Sequence, residues 1–166
     1  MSPEAGAPDT PNAPPNAKEL ALRRLSLREY SSAELLGYLR RKGVPEDEAR
    51  EAVRELEERG LIDPARYGAA IARSQIARGK GPMAVLAKLR RRGLSADLSD
   101  ARRLYLAEAG EAEAIRKVLA TRFPDLDPGD RVAVAKAYQA LLRRGFSPAE
   151  IRQVLKGVVL EDSGDL

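Results

Sequence analysis

The sequence predicts an all-α chain, three tandem three-helix repeats in an elongated curved array. Two observations carry this. One phrase recurs three times, as Leu39-Arg40-Arg41-Lys42-Gly43-Val44, Leu89-Arg90-Arg91-Arg92-Gly93-Leu94 and Leu141-Leu142-Arg143-Arg144-Gly145-Phe146, with glycines 50 and 52 residues apart. Between the phrases, apolar residues fall at helical spacing behind capping signals, and no alternating strand pattern competes. A period near 50 residues is too long for one helical hairpin and accommodates three short helices.

The elements follow in order. Residues 1–17 hold no Lys or Arg, no long apolar run and much Pro, Ala and Asn, which predicts a disordered tail rather than a leader or anchor. Helix one is expected over 17–28. Ser31-Ser32-Ala33-Glu34 is a capping box that opens helix two, with Leu35, Leu36 and Leu39 on its apolar side. The basic residues of the phrase sit in a last helical turn, where they complement the dipole, and Gly43 supplies the C′ position. Helix three is expected over 45–58.

Asp63 caps helix four, over 64–78, with Pro64 at its first position. Arg78-Gly79-Lys80-Gly81 reads as a flexible hinge; it lacks the spacing and preceding strand of a phosphate loop. Pro82 opens helix five, helix six is expected from about 96 to 109, and helix seven over 111–122, closed before Pro124. Helix eight is expected to start at Asp127-Pro128, with Asp127 as cap. Ser147-Pro148-Ala149-Glu150 is a second capping box and opens helix nine over 148–155. The repeats therefore span 18–63, 64–108 and 109–157, followed by an acidic tail over 158–166.

Composition narrows the function. The 166 residues include no Cys, His or Trp, which removes thiol nucleophiles, imidazole bases, haem ligation and the usual zinc sites. Carboxylates such as Asp97, Asp100, Asp125, Asp127 and Asp130 lie at helix starts, where capping explains them. No cofactor, no metal and no catalytic constellation is expected, and the chain is read as a soluble cytoplasmic monomer that is not an enzyme. The five tyrosines are spread singly and are expected at core boundaries; Tyr67, beside the basic repeat, is the one candidate for base stacking.

Charge is uneven. Residues 18–63 carry 10 basic and 11 acidic side chains, residues 64–108 carry 10 and 3, and residues 109–157 carry 9 and 6. The acidic third helix of the first repeat is expected to be a solvated face with intrahelical pairs such as Glu46 with Arg50. Arg40, Arg41, Arg143 and Arg144 are assigned to helix-end compensation. The candidate partner-binding set is Arg73, Arg78, Lys80, Lys88, Arg91, Arg92 and Arg102, with Arg90 and Arg103 nearby, since arginine suits both carboxylate and phosphate.

With these phrases in hand, the chain resembles the RecX family of bacterial recombinase regulators. The resemblance rests on Arg28-Glu29-Tyr30-Ser31-Ser32-Ala33-Glu34-Leu35 followed by Leu39 and Lys42-Gly43, then on Leu56, Gly60-Leu61-Ile62-Asp63 and Arg66-Tyr67. Arg78-Gly79-Lys80-Gly81, Leu89 through Gly93, and the Arg-Arg-Gly-Phe-Ser phrase of the third repeat complete it. It covers about residues 18–157, most specifically in the first two repeats. It departs at Asp63-Pro64, where family members usually carry two acidic residues.

The resemblance implies a regulator that lodges in the groove of the RecA–DNA filament and restrains strand exchange and ATP hydrolysis, and so DNA repair and homologous recombination. The residues alone reach only a basic, helical, macromolecule-binding array. A helical module that binds single- or double-stranded DNA directly, with no recombinase partner, is the alternative.

Overall fold

The computed structural model describes residues 16–162, with side chains through 158, and its regular elements there are nine helices. They are α1 (Ala17–Leu25), α2 (Ser32–Arg41), α3 (Glu46–Glu58), α4 (Pro64–Ala77), α5 (Pro82–Arg91), α6 (Leu98–Glu108), α7 (Glu111–Arg122), α8 (Arg131–Arg143) and α9 (Pro148–Asp162). The expected disordered tail lies outside the described residues up to position 15. Asn16 is the cap of α1, its side chain accepting from the Lys18 and Glu19 amides, and Ala17 is the first helical residue.

The recurring phrase is a Schellman motif in all three copies. In each, the glycine amide bonds to the carbonyl three residues back: Gly43 to Arg40 at 3.0 Å, Gly93 to Arg90 at 2.9 Å and Gly145 to Leu142 at 2.9 Å. The next amide reaches the carbonyl five residues back: Val44 to Leu39, Leu94 to Leu89 and Phe146 to Leu141. The three glycines adopt φ of +80°, +72° and +87°, which an L side chain resists. The Leu three residues inside each helix end and the apolar residue after Gly give each turn its hydrophobic contact.

The described residues divide into two compact units, one ending at Ile62 and the other beginning at Asp63. In the first, α3 buries Ala49, Ala52, Val53 and Leu56 along one side, at the i, i+3, i+4, i+7 spacing of an amphipathic helix. They join Ala21, Leu35, Leu39, Val44 and Ile62 in a core of their own. The acidic side of α3 is neutralised locally, as expected: Arg50 meets Glu46 at 2.7 Å and Arg54 meets Glu51 and Glu58. Helix α1 ends at Leu25, three residues earlier than expected. Arg28 instead lies over the Tyr30 ring, 3.6 Å from its centroid, and donates to the Glu29 carbonyl and to Glu34.

The second unit holds the second and third repeats on one continuous core that includes Ile71, Val85, Leu89, Tyr105, Ile115, Leu141, Phe146 and Ile151. Two starts differ from expectation. Asp130, not Asp127, caps α8, accepting from the Val132 and Ala133 amides, while Asp127 accepts from the Gly129 amide at 2.7 Å and closes the preceding turn. The Asp-Pro-Gly-Asp run offers two capping aspartates, and the Pro128-Gly129 turn selects the later one. Helix α9 continues past Leu155 to Asp162, because Gly157 takes no positive φ and no Pro stops the helix.

The Gly79-Lys80-Gly81 segment is a clasp, not a hinge. The Gly81 amide donates to the Arg144 carbonyl at 2.9 Å and the Met83 amide to the Gly145 carbonyl at 3.0 Å. An added Cβ at Gly81 would stand 2.4 Å from the Gly145 oxygen. Close backbone approach, not freedom, is what this glycine provides.

Candidate functional site

Helix α5 carries the densest part of the basic set. Val85, Leu86 and Leu89 point into the core and fix the helix rotation, which leaves Arg90 and Arg91 exposed and Lys88 and Arg92 half-buried, one turn apart. Arg90 also donates to the Ala96 carbonyl at 3.1 Å, bridging the turn that follows the helix.

The remaining candidates are distributed around the unit. Arg73 is exposed on α4 and meets Glu108 of α6 at 3.0 Å, so part of its charge is answered internally. Arg78 is the exposed C-cap of α4. Arg102, exposed on α6, lines a cavity of about 510 Å³ with Pro82, Tyr105, Glu111 and Glu150. Pro82 and Arg91 lie at opposite ends of α5, roughly 13 Å apart along its axis. Lys80 turns toward the third repeat. Among the described residues Arg78, Lys80, Arg90, Arg91 and Arg102 make no ion pair.

Arginines assigned to helix ends behave differently from that assignment. Arg40 pairs with Glu46 at the start of α3, using both Nε and Nη2, and with Arg50 it holds the Glu46 carboxyl down to about 2. Arg144 reaches across to α4, where its Nη1 donates to the Arg78 and Gly79 carbonyls at 3.2 and 3.0 Å. Helix α4 has no basic residue in its own last turn, so Arg144 supplies the cation that its negative end favours. Arg144 also belongs to a recess of about 350 Å³ lined by Lys80, Arg122, Phe123, Ala140 and Arg143. Sequence reasoning missed Arg122, Arg143 and Arg144 because a basic last turn is an ordinary helix ending; their convergence is a product of the tertiary fold.

Tyr67, the stacking candidate, is 7 % exposed and belongs to the core, which removes it as a platform for bases. Tyr105 is more deeply buried, its hydroxyl has no hydrogen-bond partner among the described residues, and burial followed by the nearby Glu111 charge pushes its ionisation upward. Ser147 caps α9 as expected, accepting from the Glu150 amide at 3.3 Å. The reciprocal arm of that box comes from elsewhere: the Ser147 amide donates to Glu111 of α7 at 2.6 Å.

Among the described residues, no group of three or more His, Cys, Asp and Glu side chains could hold a metal ion. No helix there is long and apolar enough to cross a membrane. What the surface offers is exposed guanidinium and ammonium groups on a rigid helical frame, suited to phosphate or carboxylate.

Residues 17–56, 63–101 and 110–155 match, in order, the first, second and third three-helix domains of RecX. The chain is 34 % identical over 154 residues to a protein of Halorhodospira halophila named Regulatory protein RecX, covering 90 % of this chain and 89 % of that one. It is 35 % identical over 132 residues to a protein of the same name from Xanthomonas axonopodis pv. citri, covering 80 % and 81 %. A crystal structure of RecX from Lactobacillus salivarius superposes with a TM-score of 0.68 at 25 % identity, over 87 % of this chain and 95 % of that one.

Proposed function

The chain belongs to the RecX family, and from that premise we propose that it is a non-catalytic regulator of the RecA recombinase. It binds the RecA–DNA filament and inhibits its ATP hydrolysis and strand exchange, and through them recombinational repair, acting as a cytoplasmic monomer. The observation that carries this reading is the match to all three RecX domains in order across one chain. The absence of Cys and His from the sequence is in keeping with a role in binding rather than chemistry.

Recognition is assigned to the second repeat. Its 10 basic and 3 acidic side chains give it the strongest positive field of the three repeats. Arg73, Arg78, Lys80, Lys88, Arg91, Arg92 and Arg102 are the proposed contacts. They are carried by helices, and by the turns that join them, around a shared core, so their spacing is fixed before the partner arrives. Arg78 and Arg91 are the most informative, being exposed and free of ion pairs among the described residues.

Co-sedimentation with RecA filaments assembled on single-stranded DNA tests the reading. The native chain is expected to pellet with filaments at micromolar concentrations, and Arg78→Glu/Arg91→Glu to remain largely in the supernatant. No pelleting of the native chain overturns it. A second reading, direct DNA binding without RecA, is favoured by the same excess of cations. It requires naked DNA to bind as tightly as the filament, with affinity falling steeply as salt rises.

A further inference from the structure

The recess at the junction of the second and third repeats is absorbed by none of the preceding assignments. Three separate elements deliver cations to it: Lys80 from the α4–α5 turn, Arg122 from the last turn of α7, and Arg143 with Arg144 from the end of α8. Among the described residues no carboxylate lines it. Four positive groups around about 350 Å³ repel one another, and the fold holds them there regardless. Arg144 is pinned by its two bonds to the Arg78 and Gly79 carbonyls, and the Gly81–Arg144 and Met83–Gly145 backbone bonds lock the strip beneath it. Burial, and then the nearby Arg122 charge, lower the Arg144 pKa.

Phe123 also lines the recess; it is half-buried and follows Arg122 directly. Cations around an aromatic ring are the combination that single-stranded nucleic acids use, phosphates meeting the charges while a base lies against the ring. A neighbouring recess of about 300 Å³ shares Arg122 and Phe123 and adds Lys136, beside Asp125 and Asp130; Asp130 is already committed to capping α8. A duplex presents its phosphates on a stiff convex cylinder and keeps its bases stacked inside, so it fits a recess of this kind less well than a strand does.

We propose that this junction recess is a single-stranded nucleic-acid site, in which Lys80, Arg122, Arg143 and Arg144 take backbone phosphate and Phe123 offers a base-stacking surface. The site is separate from the filament-facing set except for Lys80, and its failure would leave the RecA reading standing.

The test is fluorescence anisotropy with a labelled 15-residue oligothymidylate, comparing the native chain with Arg122→Ala/Arg143→Ala. Both side chains are exposed, so the fold tolerates their loss, and unchanged thermal midpoints check this. Arg152→Ala/Lys156→Ala, exposed on α9 and outside the recess, removes the same charge as a control. The recess variant is expected to bind at least about tenfold more weakly at low salt, with a salt slope reduced by about 1.4, two phosphates' worth for a single strand. The control is expected to lose less than about threefold, and a duplex of equal length to discriminate little between the two variants.

Equal losses in both variants would mean bulk charge and overturn the site, as would native affinity in the recess variant or no binding by the native chain. Inorganic phosphate distinguishes a free anion. If it raises the native thermal midpoint at fixed ionic strength and not that of the recess variant, while oligonucleotide binding is unaffected, the recess takes phosphate alone and the strand reading is wrong.

Discussion

Replacing Gly81 with Ala tests the junction of the second and third repeats through a single methyl group. The backbone at Gly81 has φ −87° and ψ 178°, which any residue adopts, so the substitution carries no conformational penalty of its own. Its cost is space. The new Cβ would stand 2.4 Å from the Gly145 oxygen and 2.5 Å from the Phe146 nitrogen, both main-chain atoms that no rotamer change can move away. Relief requires the two strips to separate by about 1 Å, given ordinary non-bonded contact distances near 3.5 Å.

That displacement breaks the Gly81–Arg144 and Met83–Gly145 hydrogen bonds, about 1 kcal/mol each, and adds an overpacking cost of about 1–3 kcal/mol. The expected loss is about 3–5 kcal/mol, or a fall of more than about 10 °C in the midpoint of a unit this size. Urea and thermal unfolding followed by circular dichroism measure it. Gly157→Ala is the matched control, since its Cβ meets nothing within 4 Å among the described residues and it sits inside α9; a gain of about 0.5–1 kcal/mol is expected there. A Gly81→Ala chain within about 0.5 kcal/mol of native would refute the close-approach argument.

Tyr105→Phe removes a buried hydroxyl that has no partner among the described residues, and is expected to raise stability by up to about 1–2 kcal/mol; a loss above about 1 kcal/mol would reveal an interaction at that oxygen. Because its ionisation is raised above the ordinary 10.0, native stability is full below pH 10 and declines above it as the unfolded chain releases this proton more readily. Alkaline unfolding of the Phe variant should lack that part of the decline. Glu111→Ala takes away the carboxylate that holds the Ser147 amide and should cost about 1–2 kcal/mol, whereas Glu150→Ala, which has no such bond, should cost under about 0.5 kcal/mol in the same unfolding experiment. Glu46, lowered from 4.5 to about 2 by Arg40 and Arg50, adds stability above pH 4.5 that is lost as pH falls toward 2. Its carboxyl resonance in an NMR titration should show the low midpoint, moving up in high salt because the pair is exposed.

Local signals in the sequence specified most of the fold. The three Arg/Lys-Gly phrases are Schellman turns because the Leu, the basic last turn, the Gly and the following apolar residue are all local requirements. The Ser31–Glu34 box likewise formed where the spacing placed it, and Asp97 and Asp100, read as capping carboxylates, cap the start of α6. The misses arose where a distant partner decides. Gly79-Lys80-Gly81 reads as a hinge until Gly145 is seen against it, and Ser147 has a suitable local partner in Glu150 but bonds through its amide to Glu111. Asp127 and Asp130 are both good caps, and only the turn between them separates the two starts.

The candidate site was legible as composition and not as geometry. Sequence could count the cations of the second repeat, but not that Arg73 answers Glu108, that Arg102 shares a cavity with Glu111 and Glu150, or that Lys80 joins Arg122, Arg143 and Arg144 in another. Those outcomes depend on how α6, α7 and α8 are brought around α5, which helical periodicity leaves open.

Regulation of RecA through the basic second repeat is decided by ATP hydrolysis of RecA on single-stranded DNA, titrated with the native chain and with Arg78→Glu/Arg91→Glu. Progressive suppression by the native chain is expected, with at least about tenfold more of the variant needed for the same effect, two charge reversals costing above about 1.4 kcal/mol. Equal suppression by both, with each folded to the same midpoint, would contradict the assignment to the second repeat. No suppression by the native chain would contradict regulation of RecA itself.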